Sequence, residues 1–326
     1  MEKRALGSQG LSVGAIGLGC MSMSHGYGPG GDENESIATI HRALDRGVTL
    51  LDTAEVYGPY RNEELVGKAL RGRRAGVVVA TKFGFRIKNG TQAGTDGTPQ
   101  NAKRAAQDSL KRLGVDVIDL YYLHRKDAAV PIEDTVGAMK ELVQAGLVRY
   151  IGLSEVGSET LRRAHRVHPI TALQSEYSVW ERGIETDILP TLRELKIGLV
   201  PFSPLGRGFL TGAFKGVSQL AENDFRRGLP RFNDENASAN REIVRRIETI
   251  ASRHEVTSAQ IALAWVLSRG EDVVPIPGTR RRSYLDQNLD SLGITLGAED
   301  LKELDTLSSL VSGERYVGQN AAMVER

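Results

Sequence analysis

Short apolar runs and amphipathic segments alternate along most of this chain. Eight of the apolar runs have the length and composition of buried strands. They occupy residues 15–19, 48–52, 76–82, 117–124, 149–154, 171–174, 197–203 and 272–277. Because these runs are nearly continuous in their hydrophobicity, both faces of each strand should be covered, as in a parallel sheet.

The segments between the runs carry helix signals. The clearest begins at Thr98-Pro99, places Ala102 and Ala106 on one face and stops at Gly114. Further helical spacing is found at 37–44, 65–69, 133–145, 158–166 and 257–269. Strands that alternate with helices predict an α/β fold, and eight such units favour closure into a (β/α)8 TIM barrel.

The two ends of the chain and two long connections lie outside this repeating pattern. Residues 4–14 predict an N-terminal β-hairpin, and residues 298–308 predict the extra helical structure of the C-terminal end. The connections 83–98 and 203–238 are too long to be simple turns, and we interpret the second as a lid. We expect residues 1–326 to form a single barrel domain.

Composition and charge limit the classes of protein to which this chain could belong. The chain of 326 residues is 40% apolar and 25% charged, which suits a globular protein with a full core. Its formal charge of +1 gives no electrostatic case for nucleic acid or an anionic membrane. The one cysteine, Cys20, allows neither an intramolecular disulfide nor a cysteine metal site, and no metal is expected. With no signal-peptide pattern at the N-terminus, we expect a cytoplasmic protein.

Ionisable residues stand where three consecutive predicted strands end. These are Asp52, Lys82 and His124, and Tyr57 follows in the loop after Asp52. Each has an ordinary explanation by itself, as a cap, a solvated lysine, a structural histidine or a packing aromatic. In a parallel barrel, however, the carboxyl ends of the strands form one rim, so all four would meet at one place.

Together these residues predict proton-transfer chemistry. A phenol has an ordinary pKa of about 10 and is a poor acid at neutral pH. We expect the ammonium of Lys82 to favour the phenolate of Tyr57, and Asp52 to hold that lysine in place. A phenol tuned in this way could protonate a developing alkoxide while His124 orients the substrate oxygen. The set is suited to carbonyl reduction if another group supplies hydride.

Eight short motifs follow one another along the chain: LDTAEVYG, ATKFG, YYLHRKD, GLSE, LQSEYS, VPFSPLGRG, TSAQIALAW and PIPGT. This ordered series resembles the aldo-keto reductase superfamily, most closely its single-chain bacterial and plant branch. The motifs extend over nearly the whole chain. The resemblance implies a (β/α)8 barrel, a nicotinamide cofactor bound without a Rossmann domain, and a catalytic tetrad of Asp52, Tyr57, Lys82 and His124 with Tyr57 as general acid.

The resemblance also implies contacts to NADPH or NADP⁺. They fall on Met21, Asp52, Ser154, Glu155, Gln174, Phe202, Ser203, Leu205, Arg207, Gly208, Gly278, Thr279, Arg280, Tyr284, Gln287 and Asn288. Among these, Ser154, Glu155 and Gln174 would surround the nicotinamide carboxamide, Phe202 would stack on the nicotinamide, and Gln287 and Asn288 would face the adenine. Two of the positions depart from the family pattern, because Glu155 often is asparagine in relatives and Tyr284 often is arginine.

The phosphate end has support from the residues themselves. After the last predicted strand the chain turns at Gly278 and enters a helix, so backbone N–H groups and Arg280, Arg281 and Arg282 converge. Such a place suits an anion and favours the 2′-phosphate of NADP over NAD. Which arginine contacts the phosphate is not determined by the sequence, although we favour Arg280.

Three other interpretations remain open at this point. The stretch GLGCMS at 17–22 begins like a Rossmann fingerprint, but it lacks the third glycine and Asp52 lies too far along the chain to be its ribose acid. Lys82 could instead be the Schiff-base nucleophile of a barrel aldolase, which would have no use for the arginine run. The chain could also be a regulatory or redox-sensing subunit that holds cofactor without turnover.

The substrate is expected to be a small-molecule carbonyl compound that the sequence does not identify. Aromatic groups near the expected site suggest an apolar or ring-bearing compound. Its walls are predicted from His25, Tyr27, Tyr60, the segment around Trp180 and the 203–238 lid. Glu55, close to the tetrad in sequence, has no assigned role and is expected to be solvated or structural. The oligomeric state is not predicted.

Overall fold

A computed structural model of the protein describes residues 1–325. The strands are β1 Lys3–Leu6, β2 Leu11–Gly14, β3 Leu18–Gly19, β4 Leu50–Asp52, β5 Val78–Phe83, β6 Phe85–Lys88, β7 Thr91–Thr95, β8 Ile118–Leu123, β9 Val148–Ser154, β10 Ala172–Glu176 and β11 Gly198–Phe202. The α-helices are α1 Glu33–Asp45, α2 Arg61–Ala69, α3 Pro99–Leu113, α4 Ile132–Gln144, α5 Ser158–Val167, α6 Ile188–Leu195, α7 Asp234–Arg253, α8 Ser258–Leu267, α9 Arg282–Asp290, α10 Ala298–Thr306 and α11 Gly318–Ala322.

Seven parallel strands form a nearly closed barrel in the order β11, β10, β9, β8, β5, β4, β3. Residues 272–278 lie in the remaining gap, where the Val274 amide donates to the Leu199 carbonyl on one side and the Gly17 amide donates to the Pro275 carbonyl on the other. Pro275 and Pro277 have no N–H, so this eighth segment makes isolated bridges in place of a continuous ladder. The predicted (β/α)8 barrel is confirmed.

The predicted hairpin closes the amino end of the barrel. Strands β1 and β2 pair antiparallel, and Leu6, Leu11 and Val13 join the apolar cluster inside the barrel. Leu6 approaches so closely that a Cβ on Gly198 would lie 2.6 Å from its side chain, so only glycine fits at the start of β11. The larger apolar cluster lies between the strands and the surrounding helices, which explains why the strands are apolar on both faces.

The helix limits follow the local signals in the sequence. The Thr98 hydroxyl accepts the Asn101 amide at the start of α3, and Gly114 adopts φ +64° just beyond its end. Helix α8 begins at the capping box formed by Thr257 and Gln260. Among residues 1–325, none of the helices combines the length and the hydrophobicity that crossing a bilayer would require.

Three excursions extend from the carboxyl end of the barrel. The connection after β5 forms the small hairpin β6–β7, which the sequence did not predict. Residues 203–238 fold into short 3-10 turns at 206–211, 217–219, 225–228 and 230–232 before α7 begins. The chain after α10 returns to the mouth of the barrel, where its end contacts the residue after β9. These excursions surround the candidate site.

Candidate active site

The carboxyl ends of β4, β5 and β8 bring the predicted tetrad together. Asp52 ends β4, Lys82 lies near the end of β5, and His124 directly follows β8. The Lys82 Nζ lies 2.5 Å from Asp52 Oδ1 and 3.4 Å from the Tyr57 hydroxyl. The Lys82 side chain is fully buried, so its ammonium is held between the carboxylate and the phenol without access to water.

The loop after β4 continues the pairing with β5 before it turns. The Thr53 amide donates to the Ala80 carbonyl and the Glu55 amide donates to the Lys82 carbonyl, which keep this loop beside the next strand. Gly58 then reverses the chain with φ +91°. This path places the Tyr57 ring with its centroid 5.0 Å from the Lys82 Nζ, a position that a residue within either strand could not reach.

Burial sets the charge state of the tetrad. Burial opposes a charge on Lys82, but the Asp52 carboxylate outweighs it and raises the pKa of Lys82, so the lysine is cationic. Burial also raises the pKa of Tyr57, and the attraction of Lys82 offsets this only in part. The ammonium favours the phenolate as expected, but burial, which the sequence did not reveal, outweighs it and makes the net direction upward. The phenol therefore carries its proton at neutral pH.

His124 is a neutral imidazole. Burial, followed by the charge of Lys82, holds its pKa well below the ordinary value. Its ring lies edge-on to Tyr57 at 5.8 Å and to Phe85 at 4.7 Å between centroids. Its Nδ1 has no hydrogen-bond partner within residues 1–325. A buried nitrogen left in this state beside the phenol is available to a bound polar molecule.

The tetrad lies at one end of a cavity of about 900 Å³. Most residues predicted at the site line it. They are Met21, Asp52, Tyr57, His124, Ser154, Gln174, Phe202, Ser203, Leu205, Arg207, Gly208, Gly278, Thr279, Arg280, Tyr284, Gln287 and Asn288. Lys82 lies behind Tyr57 and does not reach the cavity surface. Gln174 has a second contact, since its Nε2 donates to Asp52 Oδ2 at 2.8 Å.

Glu155 is the predicted cofactor residue that does not line the cavity. Its backbone adopts φ +57°, a left-handed conformation that is uncommon for a residue with a side chain. The carboxylate accepts the Glu176 amide at 2.8 Å and pairs with Arg315 at 2.9 Å. The side chain is directed away from the expected carboxamide position, so its predicted contact to the nicotinamide receives no geometric support.

The arginines after the last barrel segment differ in their surroundings. Arg280 and Arg281 line the cavity, where Arg280 donates to the Pro29 carbonyl and Arg281 lies over the Tyr284 ring. Arg282 pairs instead with Glu35 at 3.1 Å on the surface. Two of the three predicted cations therefore face the cavity at the start of α9.

The walls of the cavity include residues that the sequence did not suggest. His25 and Tyr27 line it as predicted, but Tyr60 lies against Arg112 and Trp180 stacks on Phe209, so these two do not. The lid contributes Phe225 and Arg226, as predicted, and the added wall residues include Phe85, Gln92, Arg125, Tyr316, Asn320 and Met323. A polar residue after His124 could have suggested Arg125, whereas no local pattern placed Tyr316, Asn320 or Met323 at the site.

A barrel with ionisable strand-end residues on one rim has the active-site position of TIM-barrel enzymes, and the comparisons with known proteins specify the family. The aldo/keto reductase family model matches residues 15–309. A probable aldo-keto reductase 1 of Glycine max is 48% identical over 315 residues, covering 95% of this chain and 90% of that protein. The chain therefore belongs to the aldo/keto reductase family.

Solved structures agree with this family membership. The glycerol dehydrogenase AKR11B4 of Gluconobacter oxydans superposes with a TM-score of 0.86 at 28% identity, covering 97% of this chain and 98% of that one. An aldo-keto reductase of Klebsiella pneumoniae in complex with NADPH superposes with a TM-score of 0.73 at 30% identity, covering 94% and 96%. Both are similar to this chain along nearly its whole length.

Proposed function

We propose that this protein is an NADPH-dependent reductase that converts aldehydes or ketones to alcohols, with Tyr57 as the general acid. The observation that carries the proposal is the buried contact of Lys82 with both Asp52 and Tyr57, beside the neutral His124, at the inner end of the cavity. This arrangement holds one transferable proton on a phenol next to a space that a substrate can enter.

The residues that line the cavity suit nicotinamide adenine dinucleotide phosphate. The inner end of the cavity offers Ser154 and Gln174 for the carboxamide and Phe202 for the ring. Its other end has Arg280 and Arg281 at the start of α9, where backbone amides and guanidinium groups suit a 2′-phosphate. The bound nicotinamide would supply the hydride. The Klebsiella pneumoniae relative in complex with NADPH supports this choice of cofactor.

Within that site each member of the tetrad has a distinct task. Tyr57, whose raised pKa keeps it protonated, donates its proton to the carbonyl oxygen as negative charge develops there. Lys82 stabilises the phenolate that remains, and Asp52 holds Lys82. His124 is uncharged, so it orients the oxygen by hydrogen bonding without competing as an acid. A protonated Tyr57 is the form that carbonyl reduction requires.

Within residues 1–325, we find no contact that favours either alternative. A Schiff-base aldolase needs a neutral lysine that the substrate can reach, whereas Lys82 is ion-paired and fully buried. A subunit that only holds cofactor would bind NADPH tightly and turn over none of a broad panel of aldehydes and ketones.

The variant Tyr57→Phe tests the proposal. It removes the acidic hydroxyl and keeps the ring, so NADPH binding measured by fluorescence titration should survive while NADPH consumption falls by roughly 10²- to 10⁴-fold. The matched control is Tyr60→Phe, which makes the same change three residues away on a ring that does not line the cavity. Near-normal turnover by Tyr57→Phe would contradict the assignment of Tyr57 as the general acid.

A further inference from the structure

Six charged side chains form a buried cluster beside the cavity, and the tetrad uses none of them. The rim cluster consists of Glu155, Glu176, Glu181, Arg207, Arg231 and Arg315. Its three carboxylates and three guanidinium groups balance in formal charge. The side chains are between 2% and 11% exposed, so their pairing is protected from solvent screening.

Arg315 is the centre of this cluster. Its guanidinium donates to Glu155 Oε2 at 2.9 Å and to Glu176 Oε2 at 3.0 Å, and its Nε lies 3.7 Å from Glu181. The same Glu176 oxygen accepts Arg207 at 2.8 Å. Burial alone would raise the pKa of Glu176, but Arg207 and Arg315 outweigh it and hold that pKa at about 2. Arg315 is therefore bound to the ends of two barrel strands at once.

The cluster helps to hold the terminal segment, residues 311–325, which follows α10 and the 3-10 turn Leu307–Leu310. Near its start, Ser312 also makes hydrogen bonds with Asn236 and Asn240 of α7. At its far end, the Glu325 amide donates to the Glu155 carbonyl and the Glu325 carboxylate pairs with Lys126 at 2.5 Å. Glu155 thus contacts both ends of the terminal segment, through its side chain at Arg315 and through its carbonyl at Glu325.

Between these two anchors the terminal segment forms a wall of the cavity. Tyr316, Asn320 and Met323 line it, and Met323 packs against the apolar group of Val56, Tyr57 and Phe85. The wall therefore packs on the apolar group that contains the proposed acid. Arg207, another member of the rim cluster, also donates to the Tyr316 hydroxyl at 2.6 Å. Releasing Arg315 would therefore leave the wall with fewer bonds to the barrel.

We propose that Glu155 and Arg315 are positioning residues that clamp the terminal segment over the tetrad, so that the segment becomes the outer wall of the substrate subsite. Glu155 acts at this clamp through Arg315 and does not contact the cofactor. The left-handed backbone of Glu155 serves this role, because it turns the carboxylate from the cavity toward Arg315. The kinetic part of this inference rests on the proposed reductase function, whereas the clamp itself does not.

The test compares the rates of amide hydrogen exchange of residues 311–325 between the wild-type protein and its variants, using the full chain without added ligand. Arg315→Met and Glu155→Gln should each speed exchange of the terminal segment by at least about tenfold, while the strands that carry the tetrad stay protected. The double variant should exchange about as fast as Arg315→Met alone, because Arg315→Met already removes the pair that Glu155→Gln breaks. Arg315→Lys, which keeps the charge, should recover part of the protection.

The matched control is Glu194→Gln, which removes an exposed ion pair with Arg162 between α5 and α6. It should leave exchange of the terminal segment unchanged. Unchanged exchange in Arg315→Met would overturn the clamp, and so would a uniform rise along the whole chain, since that would indicate general destabilisation. Additive effects in the double variant would show that Glu155 and Arg315 act separately.

Kinetics then test the substrate wall. For a carbonyl compound that the wild-type protein reduces, both single variants should raise KM by at least about fivefold while kcat changes by less than about threefold. If exchange becomes faster but KM does not change, the terminal segment is not a wall of the substrate subsite. The inference that Glu155 and Arg315 hold the segment would remain. A wild-type protein without turnover, in which the exchange results still hold, would contradict the proposed reductase and not the clamp.

Discussion

Two buried glutamates on opposite sides of the barrel mouth have opposite properties. Glu55 follows β4 and Glu176 ends β10, and only 3% and 2% of their surfaces are exposed. Burial raises the pKa of Glu55 to about 7, and the neighbouring Glu63 adds to this effect. The pKa of Glu176 is instead held at about 2 by its arginines. Similar burial thus produces a proton-binding group in one place and a permanent anion in the other.

The difference lies in the partners. Glu176 shares one oxygen between Arg207 and Arg315. Near Glu55 the closest guanidinium belongs to Arg112, which is already paired with Glu63 at 2.6 Å. Glu55 Oε1 has no hydrogen-bond partner in the part of the chain that the structure describes. Of the two expectations for Glu55, solvated or structural, its burial beside β5 excludes the first and agrees with the second. What a buried carboxylate does depends on which cations remain free to pair with it.

The largest effect should come from neutralising the paired glutamate. Glu176→Gln leaves the buried guanidinium groups of Arg207 and Arg315 short of an anion, so the free energy of unfolding at pH 7 should fall by roughly 3 to 5 kcal/mol. Urea denaturation measures it. Glu194→Gln, which breaks an exposed pair with Arg162, is the control and should show no measurable change. If both variants show a similarly small change in the free energy of unfolding, the rim cluster does not stabilise the fold.

The Glu55→Gln variant should raise the free energy of unfolding, by somewhat less than Glu176→Gln lowers it. The folded-state pKa of about 7 exceeds the ordinary 4.5, so Glu55 contributes its full stability only below about pH 4.5, and this contribution is lost as pH rises through 7. The total loss is roughly 3 kcal/mol, from about 2.5 pKa units. Glutamine does not titrate, so the variant should gain stability relative to wild type between pH 5 and pH 8.

The measurement is a series of urea denaturations at pH 5, 6, 7 and 8 for both proteins. The difference between variant and wild type is the relevant quantity, since it cancels the titration of all other groups. Parallel pH profiles would contradict the raised pKa of Glu55. A difference that grows with pH would establish that this glutamate is protonated in the folded protein near pH 6.

Arg280 and Arg282 allow the same comparison for cations, since one is paired with a carboxylate and the other is not. Substituting them should have the smallest effect of the three. Arg282 has a carboxylate partner in Glu35, whereas Arg280 faces the cavity and donates to a carbonyl. Arg280→Ala should raise the Kd for NADPH by roughly 10- to 100-fold, with little change for NADH, since it removes a charge-assisted contact to the 2′-phosphate. Arg282→Ala is the control. Equal losses for both cofactors in Arg280→Ala would exclude a 2′-phosphate contact.

Much of the barrel and the grouping of the tetrad could be predicted from the sequence. The strands are apolar on both faces because helices and barrel interior cover them, and this leaves a pattern that can be read along the chain. Lys82 lies 30 residues from Asp52, yet parallel strands bring their carboxyl ends to one rim regardless of the loops between them. The motif series of the family then indicated the roles expected for these residues.

Other features depended on contacts between distant parts of the chain. Glu155 and Arg315 are separated by 160 residues, and no periodicity relates them. The pairing of Arg282 with Glu35, 247 residues apart, likewise decides which arginines face the cavity. The net pKa of Tyr57 depends on how much water is excluded around it, so Lys82 as a neighbour was not sufficient to predict its direction.

The sequence by itself determined the barrel, its strand ends and the residues that meet there, because hydrophobic pattern and strand direction are local properties. Only the tertiary structure decided which charges are paired, which face the cavity and where the terminal segment lies. Pairing between side chains is settled by distances of a few ångströms and by the loss of surrounding water. Neither quantity is encoded by the spacing of residues along a chain.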